Sequence, residues 1–373
     1  MASAKSRMRI NKILASKTMY QSNREFLMSI YKDAEELREK LKKEQKEKLK
    51  VALFGQPGAG KSSLINKLVG GDAVTVGVST DKTVVAEVVE WEDLLLVDLP
   101  GYGTTKFPEN KYFDEFEIES FDIYLCVFSG KFHGADTRFF KELRSKGKVC
   151  LFVRNYHDTI WEDGKEIEEL EQDIKLDVEK QVESKEDVIF TSCRNNYGVK
   201  ELSESIYTNI DAANKVKWAK SAKAYSIEFL EKKKKSCETY VYTASGAAAV
   251  NGINPIPGVD IGIDVSILLG LFTGIRNSYG LTDEKLKSKE ALIPTLAPMV
   301  NNIIKYGSKQ GIIYLLKTFA GREIVKSASK YIPIVGQAIA ASIGYGITRS
   351  AGISYLDDCH KAAKIILENE ISK

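Results

Sequence analysis

The 373-residue sequence predicts an α/β domain with a mostly parallel sheet, joined to an all-α domain built from N- and C-terminal segments. Three observations carry this. A glycine-rich loop stands between an apolar run and a helical segment at residues 51–68. Five further short apolar runs follow, with helical or polar stretches between them, which is the alternation of an α/β fold. Before residue 51 and after residue 213 the apolar positions recur at helical spacing instead. The expected boundaries are therefore an N-terminal helical segment 1–50, the α/β domain 51–213 and a C-terminal helical domain 214–373.

Composition agrees with a globular chain. It is 43% hydrophobic and 28% charged, which excludes disordered or collagen-like classes. Lys+Arg number 54 and Asp+Glu 51, so the whole chain lacks the basic field of a nucleic-acid binder, and no nucleic-acid partner is expected. Five cysteines form no CxxC pair; reduced thiols in a cytoplasmic protein are expected. The three histidines have no metal-cage spacing. Charge is uneven: residues 1–50 hold 14 Lys+Arg and 7 Asp+Glu. Within them, Phe26, Leu27, Ile30, Leu37 and Leu41 form a helical stripe. Acid-before-base pairs such as Glu36–Lys40 add about 0.2–0.5 kcal/mol each. The stripe needs a partner, and the C-terminal helices are the expected one.

The first strand is Val51-Ala52-Leu53-Phe54, followed by Gly55-Gln56-Pro57-Gly58-Ala59-Gly60-Lys61-Ser62 and a helix opening at Ser63-Leu64. This is GxxxxGK[ST] in its required strand–loop–helix setting. The glycines let backbone N–H groups wind around phosphates, and the helix adds its positive end. Lys61 is expected to bridge the β- and γ-phosphates, and the Ser62 hydroxyl to ligate Mg²⁺.

The remaining runs supply the rest of a nucleotide site. Residues 84–89 and 94–97 make two strands with a turn expected at Trp91-Glu92-Asp93. The second ends in Asp98-Leu99-Pro100-Gly101, where a carboxylate can hold the Mg²⁺ shell and a glycine N–H can meet the γ-phosphate. DxxG in this order and spacing is a GTPase switch. Between them Thr80, or alternatively Thr83, is expected to contact Mg²⁺ only while the γ-phosphate is present. After Val149–Val153 comes Asn155-Tyr156-His157-Asp158, close to [NT]-K-x-D. The Asp158 carboxylate can accept from guanine N1–H and its amine, which adenine cannot match. Tyr156 stands where a lysine is expected. Thr191-Ser192-Cys193-Arg194, after a last strand at 188–190, is expected to offer a backbone N–H to guanine O6. Residues 51–213 thus read as an α/β P-loop GTPase (G) domain binding GTP or GDP with Mg²⁺. The residue after DxxG is Tyr102, where many GTPases carry a water-orienting glutamine. Slow hydrolysis by the monomer is expected.

Asp98-Leu99-Pro100-Gly101-Tyr102-Gly103-Thr104-Thr105-Lys106-Phe107-Pro108 resembles switch II of the immunity-related, interferon-inducible GTPases (the IRG family). The similarity extends from the N-terminal helices to about residue 210 and includes Phe152-Val153-Arg154. The resemblance implies a dynamin-like GTPase that forms homodimers or homo-oligomers through its G domain at membranes. It also implies hydrolysis stimulated by assembly, and a role in cell-autonomous defence.

The C-terminal third is helical by composition. Lys215–Lys235 is expected to be one connecting helix with Trp218, Tyr225, Phe229 and Leu230 buried. Val259–Phe272 and Ile332–Thr348 are apolar and rich in small residues. The uncharged stretch 332–348 would be about 25 Å long as helix, short of the ~30 Å of a bilayer core. Bundle helices with peripheral membrane contact are expected rather than spans. The rival function is a membrane-associated nucleotide-binding scaffold with negligible hydrolysis.

Overall fold

The structure, a computed structural model, describes residues 47–71, 73, 86–102, 107–253, 265–315 and 333–372. Thr80 and Thr83, and the N-terminal helix with its expected packing, lie outside the described residues. The described residues fall into two units. One comprises Glu47–Cys237, Arg276–Lys285 and residues 362–372; the other comprises residues from Glu238–Ile275 and Leu286–Lys361.

The first unit is built on six strands: β1 (Leu49–Gly55), β2 (Glu87–Trp91), β3 (Leu94–Asp98), β4 (Ile123–Phe128), β5 (Cys150–Arg154) and β6 (Val188–Phe190). Their order is β2-β3-β1-β4-β5-β6, and all neighbours are parallel except β2 with β3. β1 is central and buried on both faces, which explains its continuous apolar run. Its alternate residues enter two cores. Val51 and Leu53 join Leu64, Leu68, Leu202, Ile206 and Trp218. Ala52 and Phe54 join Tyr102, Tyr112, Phe139, Phe152 and Val178. Thus α1 (Lys61–Val69), α5 (Val199–Asn209) and α6 (Ala212–Ser221) contribute to one layer. α2 (Glu109–Glu115), α3 (Gly134–Ser145) and α4 (Ile167–Val182) belong to the other. Together these make an α/β P-loop GTPase fold.

Register decides where the chemistry falls. Leu53 pairs with Asp98, Gly55 with Val127, Phe128 with Arg154 and Arg154 with Phe190. The phosphate loop, Asp98, Asn155 and Thr191 therefore lie along one carboxyl edge of the sheet, where α/β folds bind ligands.

Two expected boundaries are corrected. Trp91 pairs with Leu94 inside the ladder, so the hairpin turn is Glu92-Asp93 alone, with Glu92 at φ +49°. Lys215–Lys235 is not one helix. α6 stops at Ser221, and α7 (Ile227–Ile253) starts after a linker. The linker is held by Lys223 N–H donating to Leu68 O at 2.8 Å and by the Tyr225 hydroxyl on Lys67 O.

Among the described residues, the remaining α-helices are α8 (Val265–Ser278), α9 (Asp283–Leu292), α10 (Ala297–Tyr306) and α11 (Pro333–Ile371). In the second unit Phe272 and Tyr355 stack at 4.1 Å, and the Tyr355 hydroxyl donates to Ile303 O at 3.2 Å. Gly352 lets α11 approach closely, since a Cβ there would stand 2.7 Å from Val241 and 3.1 Å from Leu271. The apolar stretch from Pro333 onward and the amphipathic C-terminal stretch are one 39-residue helix. Among the described residues no helix is long and apolar enough to cross a membrane.

Candidate functional site

The phosphate loop turns on three glycines with positive φ: Gly55 at +120°, Gly58 at +76° and Gly60 at +84°. A Cβ on Gly55 would lie 2.2 Å from Val127 O, and one on Gly60 would lie 2.4 Å from Asn155 Nδ2. Both positions need glycine for space as well as for conformation. α1 opens with Leu64 N–H on Gly60 O at 2.9 Å, so the first-turn N–H groups have no intrahelical acceptor and the helix's positive end faces the loop. Ala59 N–H closes onto Gln56 O at 3.2 Å, and the Gln56 side chain donates to Lys131 O.

Lys61 is buried and folds back under the loop. Its ammonium donates to Gly55 O and Gln56 O, each at 3.2 Å. It lies 3.6 Å from Asp98 Oδ1. Ser62 Oγ donates to Asp98 Oδ2 at 3.1 Å. Asp98 Oδ1 is buried and has no hydrogen-bond partner. Burial raises the Asp98 pKa, opposed by the Lys61 charge and the Ser62 hydroxyl. A buried carboxylate oxygen without a donor, beside a hydroxyl on a phosphate-binding helix, is a hard-oxygen pair that fits Mg²⁺.

A second carboxylate was not among the expected site residues. Asp136, in the first turn of α3, is 7% exposed. Burial pushes its pKa up to about 6, with His133 and Lys61 acting the other way. An acid in a helix's first turn usually partners the helix dipole on the surface, so nothing in the local sequence marked it as buried.

Tyr102 faces inward. Its ring packs on Tyr112 at 5.1 Å and Phe139 at 4.8 Å, and its hydroxyl donates to Glu142 Oε2 at 2.9 Å. The Tyr112 hydroxyl donates to Pro100 O within the DxxG turn. The position that carries glutamine in many GTPases is here an aromatic anchor under α3.

On the other side of the loop, Asn155 is fully buried and ties three segments. Its Nδ2 donates to Ala59 O at 2.8 Å; its Oδ1 accepts from Thr191 Oγ1 at 3.2 Å and lies 3.8 Å from Cys193 Sγ. Tyr156 takes a left-handed φ of +57°. Its hydroxyl and Cζ lie 3.4 and 3.5 Å from where a Gly60 Cβ would be, so the ring lies across the phosphate loop. Asp158 sits in a short 3₁₀ turn (His157–Thr159), with Arg194 Nη1 4.0 Å from its Oδ2. Ser192 is buried, and its N–H donates to Tyr197 O at 2.9 Å. Burial raises the Cys193 thiol to about 11. Three residues past Asp158, Trp161 is 80% exposed. Gly55–Ser63, Asp98, Gly101, Asn155, Asp158, Ser192 and Cys193 thus share one edge of the sheet. Thr80 is outside the described residues.

A glycine-turned P-loop, the Ser62–Asp98 pair beside it and the Asp158 turn along the same sheet edge are the arrangement of a P-loop GTPase. Residues 11–294 match the family model "Interferon-inducible GTPase (IIGP)". The chain belongs to that family. It is 24% identical over 340 residues to interferon-inducible GTPase 5 of Rattus norvegicus, covering 84% of this chain and 73% of that protein. To interferon-inducible GTPase 1 of Mus musculus it is 33% identical over 144 residues, 34% of each chain. Among solved structures, a probable GTP-binding protein engB is similar at a TM-score of 0.33 and 20% identity, over 43% of this chain and 98% of that one.

Proposed function

We propose that this GTPase is a switch that hydrolyses GTP slowly as a monomer and faster as a homodimer or homo-oligomer joined through its G domain. The observation that carries the chemistry is the Lys61–Asp98–Ser62 cluster, with Ser62 Oγ 3.1 Å from one Asp98 oxygen and Lys61 3.6 Å from the other. Lys61, held by two loop carbonyls, directs its charge to the β- and γ-phosphates. The loop from Gly55 through Ser63 (with Gln56, Pro57, Gly58, Ala59 and Gly60 between) wraps the phosphates with backbone N–H groups. Ser62 and Asp98 would hold Mg²⁺, with Thr80 the further ligand expected in the triphosphate state. When bound, the ion neutralises charge on the phosphates. Gly101 N–H reads the γ-phosphate. Asn155 and Asp158 orient and select guanine, and the backbone at Ser192 and Cys193 closes on its O6.

Tyr102 supports the dependence on assembly. A ring committed to Tyr112, Phe139 and Glu142 cannot orient water, so that group has to come from elsewhere. A group supplied in trans can be worth about 10³–10⁵ in rate. Peripheral membrane contact and a role in cell-autonomous defence are further parts of this reading. Membership of the interferon-inducible family supports them.

The test is binding of ADP, GDP and GTP, then light scattering and turnover per molecule across a range of protein concentrations. Guanine-selective binding, GTP-dependent scattering and turnover that rises with concentration are expected. Constant turnover per molecule would contradict the assembly requirement. Single-turnover assays with liposomes separate this enzyme from a scaffold that binds nucleotide and barely hydrolyses it.

A further inference from the structure

Three side chains that no GTPase motif contains meet behind the base-reading loops. His157 occupies the variable position just before Asp158. Its ring stacks on Tyr197, centroids 4.1 Å apart and planes within 5°. Its Nε2 lies 2.8 Å from Glu171 Oε1 on α4, and its ring stands edge-to-face with Phe190 of β6, centroids 5.8 Å apart. The Glu171 carboxylate faces the Tyr197 phenol as well. The phenol's pKa is raised first by burial, then by the Glu171, Glu201 and Glu168 carboxylates.

The backbone gives this stack a purpose. His157 N–H donates to Thr191 O at 3.0 Å, fixing the Asp158 turn to the end of β6. Tyr197 is the far foot of the loop that carries Ser192 and Cys193. Ser192 N–H donates to Tyr197 O at 2.9 Å, and the two residues form an isolated antiparallel bridge. Between those feet the loop turns through Asn196 at φ +63°, and Tyr197 N–H returns to Asn195 Oδ1 at 3.1 Å. Gly198 then passes so close to β6 that a Cβ would stand 1.8 Å from Phe190 O. One face of the stack is thus continuous with the Asp158 turn, and the other with the Ser192–Cys193 loop. Glu171 ties the imidazole to a third element.

We propose that His157, Tyr197 and Glu171 form a latch that fixes the spacing between the Asp158 carboxylate and the Ser192–Cys193 backbone, and thereby sets how sharply guanine is read. These are positioning residues: they act on base selectivity through Asp158 and the facing loop. The inference rests on the assignment of Asp158 to guanine. The physical basis is that a base held from two sides is discriminated only while both sides keep their distance. A shift of a few tenths of an ångström weakens the hydrogen bonds on the Watson–Crick edge. The latch side chains act on the base side of the site, which meets the phosphate loop through Asn155 Nδ2 on Ala59 O.

The experiment compares GDP with inosine diphosphate, which lacks the amine that Asp158 reads, by calorimetry on the full chain. The proteins are wild type, His157→Ala, His157→Phe, Glu171→Gln and Tyr197→Phe, each with a melting curve. Wild type should prefer GDP by about tenfold or more, one hydrogen-bonded group's worth of discrimination. His157→Ala should lose most of that ratio, with GDP weakening more than inosine diphosphate, which keeps N1–H and O6 but lacks the amine. His157→Phe keeps the stack without the Glu171 contact and should recover part of it. Tyr197→Phe should stay near wild type, and Glu171→Gln should fall between. A GDP-to-inosine ratio unchanged in His157→Ala and Glu171→Gln would overturn the latch, as would an equal loss for both nucleotides. Should His157→Ala fail to fold, Glu171→Gln and His157→Phe decide the matter by the same ratio. Failure of wild type to prefer GDP would instead overturn the guanine assignment itself.

Discussion

At the scale of single residues, the site places two carboxylates in opposite situations. Asp158 is near the surface with a weak Arg194 contact. In Asp158→Asn an acceptor becomes a donor, so GTP should weaken by tenfold or more, on the order expected for a lost base contact, and xanthosine triphosphate should be favoured. Competition binding measures this, and unchanged GTP affinity would count against the assignment. Asp136 is buried, with its pKa raised to about 6. Its folded value lies above the unfolded one, so the proton stabilises the folded state. That contribution is complete below about pH 4 and lost as pH rises through 6. Asp136→Asn mimics the protonated acid. It should raise stability at pH 7.5 by up to about 3 kcal/mol and make little difference near pH 4, as thermal melts at both pH values would record. A variant less stable than wild type at pH 7.5 would show that the charge is compensated.

At the scale of elements, the instructive case is the turn after β3. Sequence spacing locates Asp98 and Gly101 but cannot show which way Tyr102 points, because that depends on the aromatic cluster contributed by α2 and α3. Tyr102→Gln should therefore not restore a water-orienting amide. It should lower stability by about 2–5 kcal/mol, as for other large losses in a core, and leave monomer turnover no faster. Acceleration on making this change would mean the turn reorients. The phosphate loop and strands were legible because their constraints are local: glycines at fixed offsets, and apolar runs buried on both faces. The break between α6 and α7 was not, since Leu68 O and Lys67 O, more than 150 residues away, hold the linker. The single helix α11 was hidden by its change of composition from apolar to amphipathic along its length. His157, Glu171 and Tyr197 come together only through the packing of α4 and the last loop on β5 and β6.

At the scale of the whole molecule, the chain carries a glycine-turned P-loop, and the residue after DxxG, Tyr102, is committed to Tyr112, Phe139 and Glu142. This is the reason turnover per molecule is expected to rise with protein concentration, and the light-scattering series with GDP and GTP measures it. The helical unit is assembled by close approach at Gly352 and by the Phe272–Tyr355 stack, so its helices are distinct in packing from the α/β layers. The chain's three tryptophans are unequally placed: Trp218 is fully buried, Trp91 is half-buried in the hairpin, and Trp161 stands almost wholly in water beside the Asp158 turn. That last indole is a built-in optical probe. Without any label, its emission and its quenching by acrylamide should respond to guanine nucleotide and remain silent to adenine nucleotide, and Trp161→Phe should abolish the signal while binding persists.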